Sequence, residues 1–101
     1  MAVVSIMKMQ GDPDELARKL REQVRPIAQE LAPKHGGLGN IVAKTSDGIM
    51  VINLWENEEG RHAMAEEPQV LEALQAADLP APGFEGYEIV DMVIRQEAVT
   101  T

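Results

Sequence analysis

The chain has 101 residues, 45 % of them apolar and 26 % charged, which suits one globular domain and excludes both a disordered chain and a second domain. Seventeen acidic against nine basic residues give a net charge of −8, which repels phosphate backbones and anionic lipid and makes nucleic acid and membrane surfaces poor partners. The absence of cysteine removes disulfides, thiolate catalysis and sulfur-held metals together.

Residues 2–9 are rich in Val, Ile and Met and end at Gln10-Gly11, as a strand does. Asp12 follows as an N-cap, with Pro13 at the first helical position and Glu15 at the third, so acceptors are supplied to N–H groups that have no partner inside the helix. Leu16, Leu20, Val24, Ile27 and Leu31 recur at spacings of four, four, three and four, one apolar stripe of an amphipathic helix. Pro26 interrupts the backbone ladder while the stripe runs on through it, which predicts a kink rather than an end. Pro33 and Gly36-Gly37 close the helix. Arg18, Lys19, Arg21, Arg25 and Lys34 give it a basic, solvated face.

Residues 39–45 and 49–55 form the next two strands, joined at Ser46-Asp47-Gly48 as a hairpin. Asn57 caps a short helix whose first turn holds Glu58 and Glu59, matching the positive end of its dipole. Pro68 opens another helical segment with Val70, Leu71 and Leu74 apolar. Residues 79–83, Leu-Pro-Ala-Pro-Gly, are a loop, 87–96 the last strand and 97–101 a tail. Residues 1–96 are thus one domain with the order β-α-β-β-α-β, an α+β, ferredoxin-like arrangement: a four-stranded antiparallel sheet with helices on one face.

Alternation along the strands sorts their side chains into two sets. Val4, Ile6, Ile41, Ala43, Met50, Ile52, Leu54, Val90, Met92 and Ile94 are wholly apolar and are expected under the helices. Val3, Ser5, Met7, Met9, Asn40, Val42, Val51, Asn53, Trp55, Ile89, Asp91, Val93 and Arg95 are mixed and are expected on the bare face. That bare face is too apolar for open water, so a second copy is expected to cover it, sheet against sheet, giving a homodimer through the open sheet face with an enclosed pocket in each half. A hydrophobic pocket with a few polar groups suits a small apolar or aromatic molecule.

The strand order, the run Ile49-Met50-Val51-Ile52-Asn53-Leu54-Trp55-Glu56-Asn57 and the helix Glu58-Glu59-Gly60-Arg61-His62-Ala63-Met64 together resemble the dimeric α+β barrel superfamily, and within it the antibiotic-biosynthesis-monooxygenase-like branch. The resemblance covers nearly the whole length. Members of that superfamily include cofactor-free oxygenases of aromatic polyketides, haem-degrading enzymes and isomerases. The oxygenases and haem degraders of this branch typically use a Trp at the end of the third strand, a helical His and an Asn. Trp55 matches the first position and His62 the second. The first strand carries no Asn where haem degraders have one, so Asn40 or Asn53 would have to substitute from another strand. That departure argues against haem, and no cofactor is expected.

The candidate chemistry is as follows. Trp55 can stack on a planar substrate, or simply fill the core with its N–H satisfied. Asn53 sits mid-strand, where a buried amide needs a partner: a substrate carbonyl or phenol, or a neighbouring strand. Asp91, desolvated, would become a general base, or else pair with Lys44 or Arg95. His62, as an imidazole, suits a proton shuttle, or is a plain surface residue. Ser5, Asn40, Met7 and Val51 complete the expected pocket wall. The two histidines lack carboxylates at metal spacing, so no metal site is expected, and Gly36-Gly37-Leu38-Gly39 lacks the Lys-Ser/Thr of a phosphate loop. The expected activity is cofactor-independent monooxygenation of an aromatic or polyketide-like substrate. The alternatives are a non-catalytic ligand-binding or structural dimer, and a cofactor-free isomerase or cyclase using Asp91 as base. Without a basic leader, a cleavage site or a membrane-length apolar run, a cytoplasmic location is expected.

Overall fold

The computed structural model describes residues 1–80 and 83–94, starting with strand β1 (Val3–Gln10). Gly11 turns the chain at φ 149°, a region side chains avoid, and its N–H donates to the Asp47 carbonyl at 2.9 Å. Asp12 caps helix α1 (Pro13–Lys19) as the pattern requires, its carboxylate accepting from the Glu15 N–H at 3.1 Å. The Glu15 carboxylate itself turns to Arg18, 4.0 Å away. Pro26 has no N–H, and its ring crowds the carbonyl four residues back. The helix accommodates this with one π turn over Leu20–Val24, in which the Arg25 N–H reaches Leu20, and then resumes as α2 (Arg25–Leu31). The expected kink is thus a local change of winding. A 3₁₀ turn (Ala32–His35) and Gly36, left-handed at φ 78°, end the segment.

Strands β2 (Gly37–Lys44) and β3 (Gly48–Trp55) form the expected hairpin, with a bulge between Gly37 and Gly39. Asn57 caps α3 (Glu58–Ala65) by accepting from the Gly60 N–H at 2.7 Å. Helix α4 (Pro68–Ala76) begins at the predicted proline. Strand β4 (Gly83–Glu88) completes an antiparallel sheet of order β2-β3-β1-β4. The last strand therefore lies earlier than the predicted 87–96. It starts as soon as the loop ends, and its ladder with β1 runs from Lys8↔Gly83 to Val3↔Glu88. Asp91 falls beyond it. Ala81, Pro82, Arg95, Gln96 and the tail 97–101 lie outside the described residues.

The two strand faces are exchanged relative to the expectation. Val3, Met9, Ile49, Val51 and Trp55 are buried, and so is Ser5; with Met7 and Asn53 they form the face under the helices. The wholly apolar set, with Val4, Ile6, Ala43, Met50, Ile52 and Leu54 part-exposed and Ile41 exposed, lies on the uncovered face. Alternation states which residues share a face. Which face the helices cover is decided by tertiary packing, not by alternation. Two apolar clusters result. Met9, Leu16, Leu20, Val24, Ile49, Val51, Ala73 and Ala77 form one, and Val3, Leu31, Trp55 and Met64 the other. Ile27 packs against both. Each large buried side chain contributes about 1.5–3 kcal/mol.

Helix α3 approaches the end of the first helical segment at Gly60, where a Cβ would overlap the His35 carbonyl oxygen. Gly60→Ala is expected to lose about 1–3 kcal/mol of stability in urea titration, as overpacking does. Gly83→Ala, where a Cβ meets nothing within 4 Å, is the control and should stay within about 0.5 kcal/mol of the parent.

Candidate functional site

The polar residues of the covered face line up across the sheet. Ser5 on β1 is opposite Asn53 on β3, and Asn53 is opposite Asn40 on β2. One row further along, Met7, Val51 and Val42 are aligned; on the other side, Val3, Trp55 and Gly37 are. The first of these flanking rows belongs to one apolar cluster through Val51 and the second to the other through Val3 and Trp55, so the row Ser5–Asn53–Asn40 is a polar seam between the two.

Each polar group in the seam has a partner. The Trp55 indole N–H donates to Ser5 Oγ at 3.3 Å, both residues being buried, with Ser5 only 3 % exposed. Asn40 Nδ2 donates to Asn53 Oδ1 at 2.7 Å. Among the described residues no buried side-chain N or O atom lacks a partner. Exposure rises along the seam from buried Ser5 through half-buried Asn53 to exposed Asn40, so solvent reaches it from the β2 edge. The Asn40–Asn53 bond uses the Asn53 carbonyl and leaves its NH₂ group to donate. A hairpin turning at Ser46-Asp47 sets residue 40 opposite residue 53, so this pairing is legible in the turn position alone.

Six of the candidate residues, Ser5, Met7, Asn40, Val51, Asn53 and Trp55, are brought together, though under the helices rather than on the bare face. The other two are elsewhere. His62 is exposed on α3 and pairs with Glu66 at 3.0 Å along its own helix. Asp91 is exposed beyond β4; of its two suggested partners, Lys44 holds Asp14 at 2.5 Å and Arg95 lies outside the described residues. His35, which the sequence marked as loop chemistry, is half-buried and lies 2.8 Å from Glu67, joining the end of the first helical segment to the α3–α4 junction. No local signal in the sequence announces that pair. No cluster of three or more His, Asp or Glu able to hold a metal occurs among the described residues.

Two surface depressions lie elsewhere, neither lined by Ser5, Asn53 or Asn40. One of about 350 Å³ at the start of α3 is lined by Met1, Val3, Asn57, Glu58, Glu59 and Glu88. The other, about 390 Å³, lies between the π turn, α2 and α4 and is lined by Gln23, Ile27, Gln69, Glu72, Ala73 and Ala76. The electrostatic shifts belong to the rim. The Lys44 ammonium, by hydrogen bond and charge, holds the Asp14 carboxyl below its usual range, and Asp14 raises Lys44 in return. Hydrogen bonding from Arg61 lowers Glu58, and hydrogen bonding to Glu85 raises the Tyr87 hydroxyl.

Solved structures share the fold. A protein of Chloroflexus aurantiacus J-10-fl, provisionally named an antibiotic biosynthesis monooxygenase, superposes with a TM-score of 0.68 at 22 % identity over 92 % of this chain and 97 % of its own. One of the same provisional name from Caulobacter crescentus CB15 gives 0.72 at 14 %, over 89 % and 91 %. The chain shares the fold of these solved proteins, a ferredoxin-like α+β arrangement with a four-stranded antiparallel sheet. SnoaB of Streptomyces nogalater, a cofactor-independent oxygenase, gives 0.65 at 13 %, over 93 % and 96 %. No family model and no curated protein matches the sequence.

Ser5→Ala is expected to leave the buried Trp55 N–H without an acceptor and to cost about 1–3 kcal/mol in urea unfolding, read from the single tryptophan's fluorescence. The depressed Asp14 and Glu58 carboxyls favour the folded state above their ordinary values of 3.8 and 4.5, and that contribution disappears as pH falls through the lowered ones. Thermal scans from neutral pH down to about pH 3 should therefore show a steeper loss for the parent than for Asp14→Asn with Glu58→Gln.

Proposed function

We propose that this chain is a small-molecule-binding protein that acts, without a cofactor, as a monooxygenase on a planar aromatic, polyketide-like substrate, and that two copies pair through the uncovered sheet face. The observation that carries it is the seam. An amide whose carbonyl is already engaged by Asn40 offers its N–H donors beside an indole, between two apolar clusters, and opens at one strand edge. Such a donor suits the oxygen of a phenolate or enolate, because it stabilises the charge that forms when a C–H proton is lost. In this scheme a methylene activated by its aromatic rings gives up a proton, and the resulting carbanion reacts with dissolved O₂ to form a carbon-bound peroxide. Breaking the O–O bond and releasing water leaves a carbonyl. Asn53 binds the anionic oxygen, Trp55 holds the ring plane, and Ser5 fixes the indole. Met7 and Val51 give the apolar wall, and Asn40 sets the amide. His62 and Asp91, both exposed, are proton acceptors at the periphery rather than inside the seam.

The mutual satisfaction of Trp55 with Ser5 and of Asn40 with Asn53 favours one other assignment, a non-catalytic binding or structural dimer in which the seam is a locked part of the core.

Air-saturated protein with an anthrone-type phenol separates them through quinone formation followed by absorbance. Under the first assignment quinone appears faster than in buffer, and Asn53→Ala lowers the rate on the order of 10²-fold. A rate equal to buffer leaves the non-catalytic assignment, and turnover that persists without oxygen points to isomerisation or cyclisation instead.

A further inference from the structure

The groove of about 390 Å³ between the π turn, α2 and α4 falls within the size range of small-molecule pockets. Its α4 wall is Gln69, Glu72, Ala73 and Ala76, spaced so that they share one side of that helix. The floor is Ile27, Ala73 and Ala76, with Ala73 buried and Ile27 half-buried. The mouth is polar, formed by Gln23 from the π turn with Gln69 and Glu72, all exposed. None of these three side chains bonds to another described residue, whereas the polar groups of the seam are bonded to one another.

Ile27 links this groove to the seam. Of the six lining residues it alone packs against both apolar clusters, the two that flank the row Ser5–Asn53–Asn40. One side of its side chain therefore bounds the groove, and the other closes the core above the seam. Ser5, Val51 and Trp55 are buried, so a ring beside the indole has to displace a side chain. From the β2 edge the way in is crossed by the Asn40–Asn53 bond. From the groove it is crossed by Ile27, and open volume already lies on the outer side of that residue. The backbone here is also held less tightly than in a regular helix. Pro26, next to Ile27, has no N–H to give, and the π turn ends at Val24. The mouth restricts what lies across it. A carboxylate only accepts hydrogen bonds, so Glu72 favours a hydroxyl or an amine and repels an anion, while the amides of Gln23 and Gln69 serve either side of a hydroxyl.

We infer that this groove is the outer half of the ligand site, that Ile27 is the side chain dividing it from the seam, and that the site takes a flat molecule whose outer end carries hydroxyl or amine groups and no carboxylate. This rests on the aromatic-ligand assignment given above, and it adds the way in and the character of the outer end.

Trp55 is the chain's single tryptophan, so its fluorescence reports what reaches the indole without any turnover. Acrylamide quenching is expected to rise in Ile27→Ala and to stay at the parent level in Leu74→Ala, a similar truncation that packs on the core outside the groove. Equal quenching in all three proteins, or an equal rise in both variants, overturns the division by Ile27. A dihydroxyanthraquinone, the oxidised product type that does not turn over, and its carboxylated analogue serve as ligands. The parent should bind the neutral quinone more tightly, and Glu72→Gln should narrow that preference by about two- to fivefold, the range that exposed charges reach. Ala76→Phe, at an exposed position of the groove, should preserve the circular dichroism spectrum and weaken quinone binding on the order of tenfold by occupying its place. Unchanged affinity in Ala76→Phe means entry by the β2 edge and overturns the inference, and an unaltered preference in Glu72→Gln overturns the assigned outer end. No quinone binding in any of these proteins, with acrylamide access still raised by Ile27→Ala, overturns the aromatic-ligand assignment instead and leaves the division by Ile27 standing.

Discussion

A buried indole must give its N–H to something, and here it gives it to Ser5. Trp55 is opposite Val3, one row away from the Ser5–Asn53 pair, so the bond runs diagonally from β3 to β1 across the middle of the sheet. It is among the contacts that let a face containing a serine and an asparagine lie under helices without unpaired polar groups, each of which would cost about 1–3 kcal/mol. Once that face is covered, period-two alternation leaves Val4, Ile6, Ile41, Met50, Ile52 and Leu54 on the other side. The protein thus satisfies its polar residues internally and presents its most apolar sheet surface outward.

The helical layer has to follow a core divided in two. Met9 and Ile49 centre one cluster near the hairpin end, and Trp55 with Val3 and Met64 centres the other at the opposite end. The long first helix spans both: its π turn packs Leu20 and Val24 into the first cluster, and beyond Pro26 Leu31 enters the second. Ile27, one residue after that proline, touches both clusters.

Shape and chemistry separate at this point. Identities of 13 to 22 % to solved proteins carry the backbone arrangement alone, and any chemistry has to be argued from the groups in the seam. Those groups are neutral amides, a hydroxyl and an indole. The carboxylates with lowered pKa values, Asp14 and Glu58, lie at the surface, where they keep their charge by pairing with Lys44 and Arg61. The seam holds donors suited to receiving charge on a ligand, and the titrating groups stay in water.

Local signals carried most of the architecture. Asp12-Pro13, Asn57 and Pro68 marked the helix starts because capping is a contest among a few neighbouring atoms, and Ser46-Asp47-Gly48 marked the hairpin, whose turn at Ser46-Asp47 sets Asn40 opposite Asn53. Strand alternation likewise sorted Ser5, Asn53 and Trp55 together. The choice of covered face was not local: it depends on whether distant polar groups find one another, as Trp55 and Ser5 do. The end of β4 was set by its ladder with β1, and the His35–Glu67 contact joins residues thirty-two apart in sequence. Alternation is symmetric under exchange of the two faces, so only the packed chain could break that symmetry.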